Sequence, residues 1–298
     1  MDLKHLVLLT FQASLFVVVF GYGLRAEFTD LLYVWRRPAL LTRSLIAVLV
    51  VMPAIAVAMA GWFDCTPTVE IALVALAISP VPPLLPSREV KAGGGERYGL
   101  GLMVVLAASS VAVVPLAVQL LGIVFGRRYV VSAGGIAAVT STSILLPLLA
   151  GMVTRALWAS FADGVSRRVD GASKVLMPVA SAVLLIAAAS DVWRLVGNGT
   201  LAAIAGFVLA GFALGHLLGG PEPEHSAVLA FSAACRHPGT ALAVASANYP
   251  EHDLRAAVLI YLAVNVLAGL MYGRWHRNRL RGCSTRSEME NGDERTHG

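Results

Sequence analysis

Ser79-Pro80-Val81-Pro82-Pro83-Leu84-Leu85-Pro86 lies inside an apolar run, approximately 68–90, that is long enough to cross a bilayer. A spanning helix must satisfy its own backbone, and the four prolines of this stretch have no N–H to donate, so carbonyls of the preceding turn are left unpaired. Irregular backbone of this kind persists at membrane depth only where it is buried in protein or lines a cavity. The stretch therefore predicts an interrupted membrane helix and, at the interruption, a polar site.

The rest of the chain agrees with a membrane setting. Its 298 residues are 57% hydrophobic and 14% charged, against roughly 45–50% and about 25% in an ordinary soluble domain. Apolar runs fall at approximately 4–24, 38–60, 68–90, 98–122, 131–155, 173–191, 199–219, 224–248 and 255–275. The expected fold class is an all-α polytopic membrane protein with about nine transmembrane helices. The segment 156–172 reads as an amphipathic interfacial link, and 276–298, which has no apolar periodicity, as a disordered cytoplasmic tail.

Lys and Arg set the orientation. Sixteen of them fall in the loops on one side of the alternating spans and five on the other. The expectation is an N-terminus outside and a C-terminus in the cytoplasm, in a bacterial plasma (inner) membrane. The net charge of +5 does not point to nucleic acid, because the basic residues lie between apolar runs instead of forming one solvated face.

A second interruption falls in the eighth run, at Cys235-Arg236-His237-Pro238-Gly239-Thr240. Spans three and eight are an odd number apart and run in opposite directions, as two crossing interrupted helices of inverted repeats require. Freed carbonyls around Leu76 to Pro80 and Ala233 to Arg236 suit cations or donors. Freed N–H groups near Leu84 to Leu85 and Thr240 to Leu242 suit an anion. Ser79, Pro80, Pro82, Ser232, Arg236, His237, Gly239 and Thr240 are the candidate substrate or ion-binding residues at the breaks.

Arg236 carries the most weight, since an arginine at a helix centre costs roughly 2.5–3.5 kcal/mol on insertion scales and must be offset by partners or function. It either ties the crossing to backbone carbonyls, touches an anion, or stands in for a bound ion. His237 could take a proton, although beside a cation the neutral ring is favoured. Ser109 and Ser110 in the fourth span could line the cavity or bond their own helix. Asn265, mid-membrane in the ninth, is either interhelical glue or cavity lining. No Asp or Glu is expected in the central turns of either broken helix.

At these residues the chain resembles the bile acid:sodium symporter family. The likeness includes Phe20-Gly21-Tyr22-Gly23-Leu24, Arg37-Pro38, Met52-Pro53, Ser79-Pro80 and Gly239-Thr240-Ala241-Leu242-Ala243. It implies two inverted repeats divided as in nine-span members of that family, the first covering 1–130 (helices 1–4) and the second 131–275 (helices 5–9), with helices 2–4 and 7–9 forming a core and helices 1, 5 and 6 a panel that moves against it. Against the family's sodium-ligand pattern, the acidic position falls on Ser232 and a glutamine on Arg236. The Gly-Gly falls on Pro82 and its neighbour, the Ser-Asn on Leu85-Pro86, and an earlier glutamine on Val48. Most sodium-binding side chains are thus replaced, and the resemblance implies a carrier without them.

Three functional classes follow. A secondary carrier would move a small organic anion or amphipath by alternating access, with the solute and the lipid bilayer as its partners. A protein derived from a transporter could instead sense or scaffold. An integral membrane enzyme is disfavoured: the spans hold no G-x-S-x-G, no H-E-x-x-H and no aspartate pair, and the histidines are scattered. Cys65, Cys235 and Cys283 have no metal-site spacing, and Gly93-Gly94-Gly95 lacks the Lys-Ser/Thr of a phosphate loop. No catalytic residue, metal or cofactor is expected.

Overall fold

The computed structural model describes residues 16–296 apart from 27, 64, 80, 83–84, 125–132, 166–198, 250 and 253. Pro80, the expected sixth span at 173–191 and part of the expected link at 156–172 lie outside the described residues. Among the described residues every regular element is helical. The elements are α1 (16–23), α2 (Phe28–Leu31), α3 (Pro38–Trp62), α4 (Pro67–Ile78), α5 (Leu85–Lys91), α6 (Glu96–Val124), α7 (133–157), α8 (159–165), α9 (Thr200–Leu218), α10 (Pro223–Ala234), α11 (Pro238–Asn248) and α12 (Arg255–Thr296). Pro38–Trp62, Glu96–Ile123, Thr200–Leu218 and Arg255–Gly282 are each long and apolar enough to cross a membrane.

Proline sets most of the helix starts. Pro38, Pro67, Pro223 and Pro238 each stand in the first turn, where a missing N–H costs nothing and the fixed φ suits a helix. The third and eighth apolar runs are each split into two helices, α4/α5 and α10/α11, at the residues where their prolines fall. Ser79 is extended (φ −74°, ψ 148°), as is Cys235 (φ −95°, ψ 129°).

A proline within a span acts differently. α3 passes through a π-helical turn at Ala47–Val51, immediately before Met52-Pro53. The Met52 N–H bonds the Ala47 carbonyl, five residues back. In a regular α-helix it would bond Val48, and the next candidate donor to Val48, at Pro53, has no N–H. The Val48 carbonyl is thereby released from its own helix. The same order recurs in α7, where a π-helical turn at Ser141–Leu145 precedes Leu146-Pro147.

The tightest helix pair is α9 with α10. Gly211, Gly215 and Gly219 recur every four residues along α9, and a Cβ at any of them would collide with the backbone at Ala234, Ala230 or Ser226 respectively. Small residues on both helices let the two backbones touch, the usual basis of close helix packing in a membrane. This contact holds the end of α10, and hence the second interruption, in place. α4 packs on α11 and α5 on α10, so the two broken helices cross half against half.

α12 continues to Thr296, beyond the expected end of the ninth span. The tail at 276–298, for which composition predicts disorder, is thus helical through Thr296. Its arginines, glutamates and methionine are good helix formers that extend a helix already nucleated by the packed span.

Candidate functional site at the helix crossing

Both interruptions leave helix-end carbonyls, and the site is built from what fills them. At the end of α10, the Ala234 carbonyl accepts from Tyr261 Oη (2.9 Å) and Asn265 Nδ2 (3.0 Å), one turn apart on α12. The Tyr261 hydroxyl also accepts from the Arg236 backbone N–H at 2.6 Å. Asn265 Oδ1 accepts from Cys235 Sγ at 3.1 Å and from Arg88 Nη1 on α5 at 3.2 Å. One face of α12 thus replaces the backbone partners that the second interruption removes.

The Arg236 side chain does not return to its own helix. It is 1% exposed, and Nη2 donates to the released Val48 carbonyl of α3 at 3.0 Å. Nη1 points to the Ser79 carbonyl at the first interruption, at 3.5 Å. The guanidinium therefore joins α3 to the end of α4, while Nε has no hydrogen-bond partner among the described residues. The guanidinium thus reaches the carbonyl end of the first break only, and at the second Tyr261 and Asn265 occupy the Ala234 carbonyl.

His237 is the N-cap of α11, and its Nδ1 accepts the Thr240 N–H at 3.2 Å. A ring nitrogen that accepts holds no proton, so this capping geometry describes the neutral ring. Thr240 Oγ1 is buried, with no hydrogen-bond partner among the described residues. Gly239 is exposed in the first turn of α11, and Pro82 is partly buried and accepts from the Leu85 N–H at 3.2 Å. Ser79 Oγ is turned back to the Ala75 carbonyl (2.6 Å), and Ser110 Oγ to the Ala107 carbonyl (2.6 Å). These two hydroxyls serve their own helices, and Ser109 is partly buried on α6. Arg236, His237, Thr240, Ser232, Ser79, Pro82 and Asn265 are brought to the crossing, whereas Ser109 and Ser110 lie on α6.

Glu89 was not expected there. It lies in the second turn of α5, is 1% exposed, and its Oε1 accepts from Ser232 Oγ of α10 at 3.0 Å. The central turns of both broken helices hold no Asp or Glu, yet this carboxylate from the far end of the third run reaches the second broken helix at Ser232. In the sequence, Arg88-Glu89 at the edge of an apolar run reads as interfacial charge; the packing of α5 on α10 turns Glu89 inward instead. Tyr261 was missed as well, although its spacing from Asn265 would put both on one helix face.

Two cavities lie toward opposite ends of the broken helices. One of about 840 Å³ lies between the first half of one broken helix and the second half of the other, lined by Glu70, Val74, Ile78, Val244, Asn248 and His252 among others. The second, of about 450 Å³, is lined by Asp30, Tyr33, Gly95, Arg97, Tyr98 and Glu224 among others.

Two interrupted helices crossing around a buried arginine, with cavities toward either end, define a polytopic membrane protein built on the plan of a secondary carrier. Residues 13–194 match the Sodium Bile acid symporter family, and the chain belongs to that family of membrane transporters. The match covers the first interruption; the second, at 235–240, lies beyond it. No curated protein matches the chain.

Proposed function

We propose that this transporter moves a small organic anion or amphipathic solute by alternating access, and does so without the sodium ligands usual in its family. The observation that carries the reading is the Arg236 guanidinium, buried at the crossing and bonded to the Val48 carbonyl at 3.0 Å. In the family pattern the positions of Val48 and Arg236 both hold glutamines. Here one offers a bare carbonyl and the other a permanent cation, so positive charge is built into the protein where coupled relatives bind a metal ion. An inward-pointing arginine at membrane depth is a default functional site, and its Nε, without a partner among the described residues, is a donor suited to an anionic group.

The two cavities support alternation, since one lies toward each end of the broken helices. Under this reading the charge bias of the loops puts the 840 Å³ cavity on the outer side and the 450 Å³ cavity on the cytoplasmic side of a bacterial inner membrane.

The test is uptake of radiolabelled taurocholate, as an anionic amphipathic probe, by proteoliposomes in sodium or choline medium. Equal uptake in the two media is expected, with a fall of tenfold or more in Arg236→Gln. Strong stimulation by sodium would show that the ligand-loss argument is wrong. A wild-type rate in Arg236→Gln would remove the arginine from the mechanism.

A further inference from the structure

We propose that Glu89 is the proton-binding group that couples this carrier to a proton gradient. The proposal rests on the carrier reading above. A proton from the aqueous phase forms an O–H bond at Glu89 Oε2, converting the carboxylate to the neutral acid, and the same bond breaks when the proton is released on the other side.

The geometry is that of a buried acceptor with one oxygen used and one unused. Oε1 accepts from Ser232 Oγ at 3.0 Å, which links the second half of one interrupted helix to the first half of the other. Oε2 is buried and has no hydrogen-bond partner among the described residues. It rests against Gly99 of α6, where any Cβ would collide with it. Gly95, four residues earlier and immediately before α6, lines the 450 Å³ cavity, as do Tyr98 and Leu100 on either side of Gly99, so that cavity borders the stretch on which the unused oxygen rests.

The neighbouring titratable groups are engaged elsewhere. Tyr98 Oη on α6 is paired with Ser44 Oγ at 2.7 Å, and the Tyr22 hydroxyl accepts from the Ser87 N–H at 3.2 Å. Cys235 and Arg88 both donate to Asn265. Arg97 pairs with Asp30 at 3.1 Å. On α10, His225 lies two turns before Ser232 and bonds Tyr33, Arg37 and Glu222, while Glu224 borders the cavity. None of these is bonded to Oε2.

A proton fits where a metal ion does not. Hard cations gather six or more oxygen ligands, whereas Glu89 and Ser232 bring three side-chain oxygens between them, and no group of three His, Cys, Asp or Glu side chains suited to a metal occurs among the described residues. Protonation also has a consequence at the crossing. Ser232, which bonds the carboxylate, is four residues before Arg236 on the broken helix, and binding a proton removes one negative charge from that side of the crossing. The protonated site thus favours an anionic solute, giving movement of proton and anion together.

Infrared difference spectra of the protein in liposomes, acid minus alkaline, read the site without any solute. We expect a protonated-carboxyl stretch that resists deuterium exchange, absent in Glu89→Gln and shifted in Ser232→Ala, both variants being checked for an unaltered elution profile. In proteoliposomes, an inward proton gradient should raise wild-type taurocholate uptake several-fold, and the ratio of uptake with and without the gradient should fall to one in Glu89→Gln. Persistence of the band or of the stimulation in Glu89→Gln overturns the proposal, as does loss of the band in sodium but not choline. A wild-type band without taurocholate flux under any gradient would instead count against the carrier reading and leave the proton site standing.

Discussion

Tyr261 shows how much one hydroxyl can hold. It accepts the Arg236 N–H and donates to the Ala234 carbonyl, so it closes the backbone on both sides of Cys235. In Tyr261→Phe the buried N–H loses its partner, while Asn265 keeps the carbonyl satisfied. A cost of about 1–3 kcal/mol is expected for the orphaned donor, measurable as a lower unfolding temperature in detergent; an unchanged transition would mean that water or a backbone shift takes over. Arg236→Lys keeps the charge but replaces a planar fork by a point donor, which cannot hold the Val48 and Ser79 carbonyls together. Its transport rate should fall well below wild type, though less than that of Arg236→Gln. Equal rates for Arg236→Lys and wild type would show that charge alone suffices.

Among the elements, α3 is the one whose irregularity has a traceable cause. Pro53 removes the donor that could have reclaimed the Val48 carbonyl, and the π-helical turn sends the Met52 N–H to Ala47. In Pro53→Ala the restored N–H competes with Arg236 for that carbonyl. The variant should therefore be at least as stable as wild type yet slower in uptake, a split that a simple packing role for Pro53 would not produce. The α9 and α10 pair makes a plainer prediction. Gly215 meets the backbone of α10 at Ala230, so Gly215→Val has no room and should abolish monodisperse protein in detergent. Gly61→Ala, where nothing lies within 4 Å, should leave the elution profile unchanged.

For the whole molecule, the opposed cavities make an accessibility prediction. In a background with Cys65, Cys235 and Cys283 replaced by alanine, Gly61→Cys lies on the 840 Å³ cavity and Gly95→Cys on the 450 Å³ cavity. A membrane-impermeant maleimide should label the first in intact cells and the second only after permeabilisation. The reverse pattern would invert the orientation read from the Lys and Arg bias.

The membrane fold class and both interruptions were legible in the sequence because they follow from local chemistry. Apolar length selects a spanning helix, and Pro80-Val81-Pro82-Pro83 and Pro238-Gly239 cannot continue one. Arg236 was also visible, since a charge within an apolar run must find partners. Which partners it finds was decided only by tertiary structure: the Val48 carbonyl is 188 residues away, and the pattern that frees it matters only because α3 passes the crossing. Glu89 is the clearest case. By sequence it is one of several charges at the edge of a span, and only the packing of α5 against α10 buries it beside Ser232. Local sequence determines where backbone groups are left unpaired, whereas the partner of each depends on which helices meet, and that is a property of the whole chain.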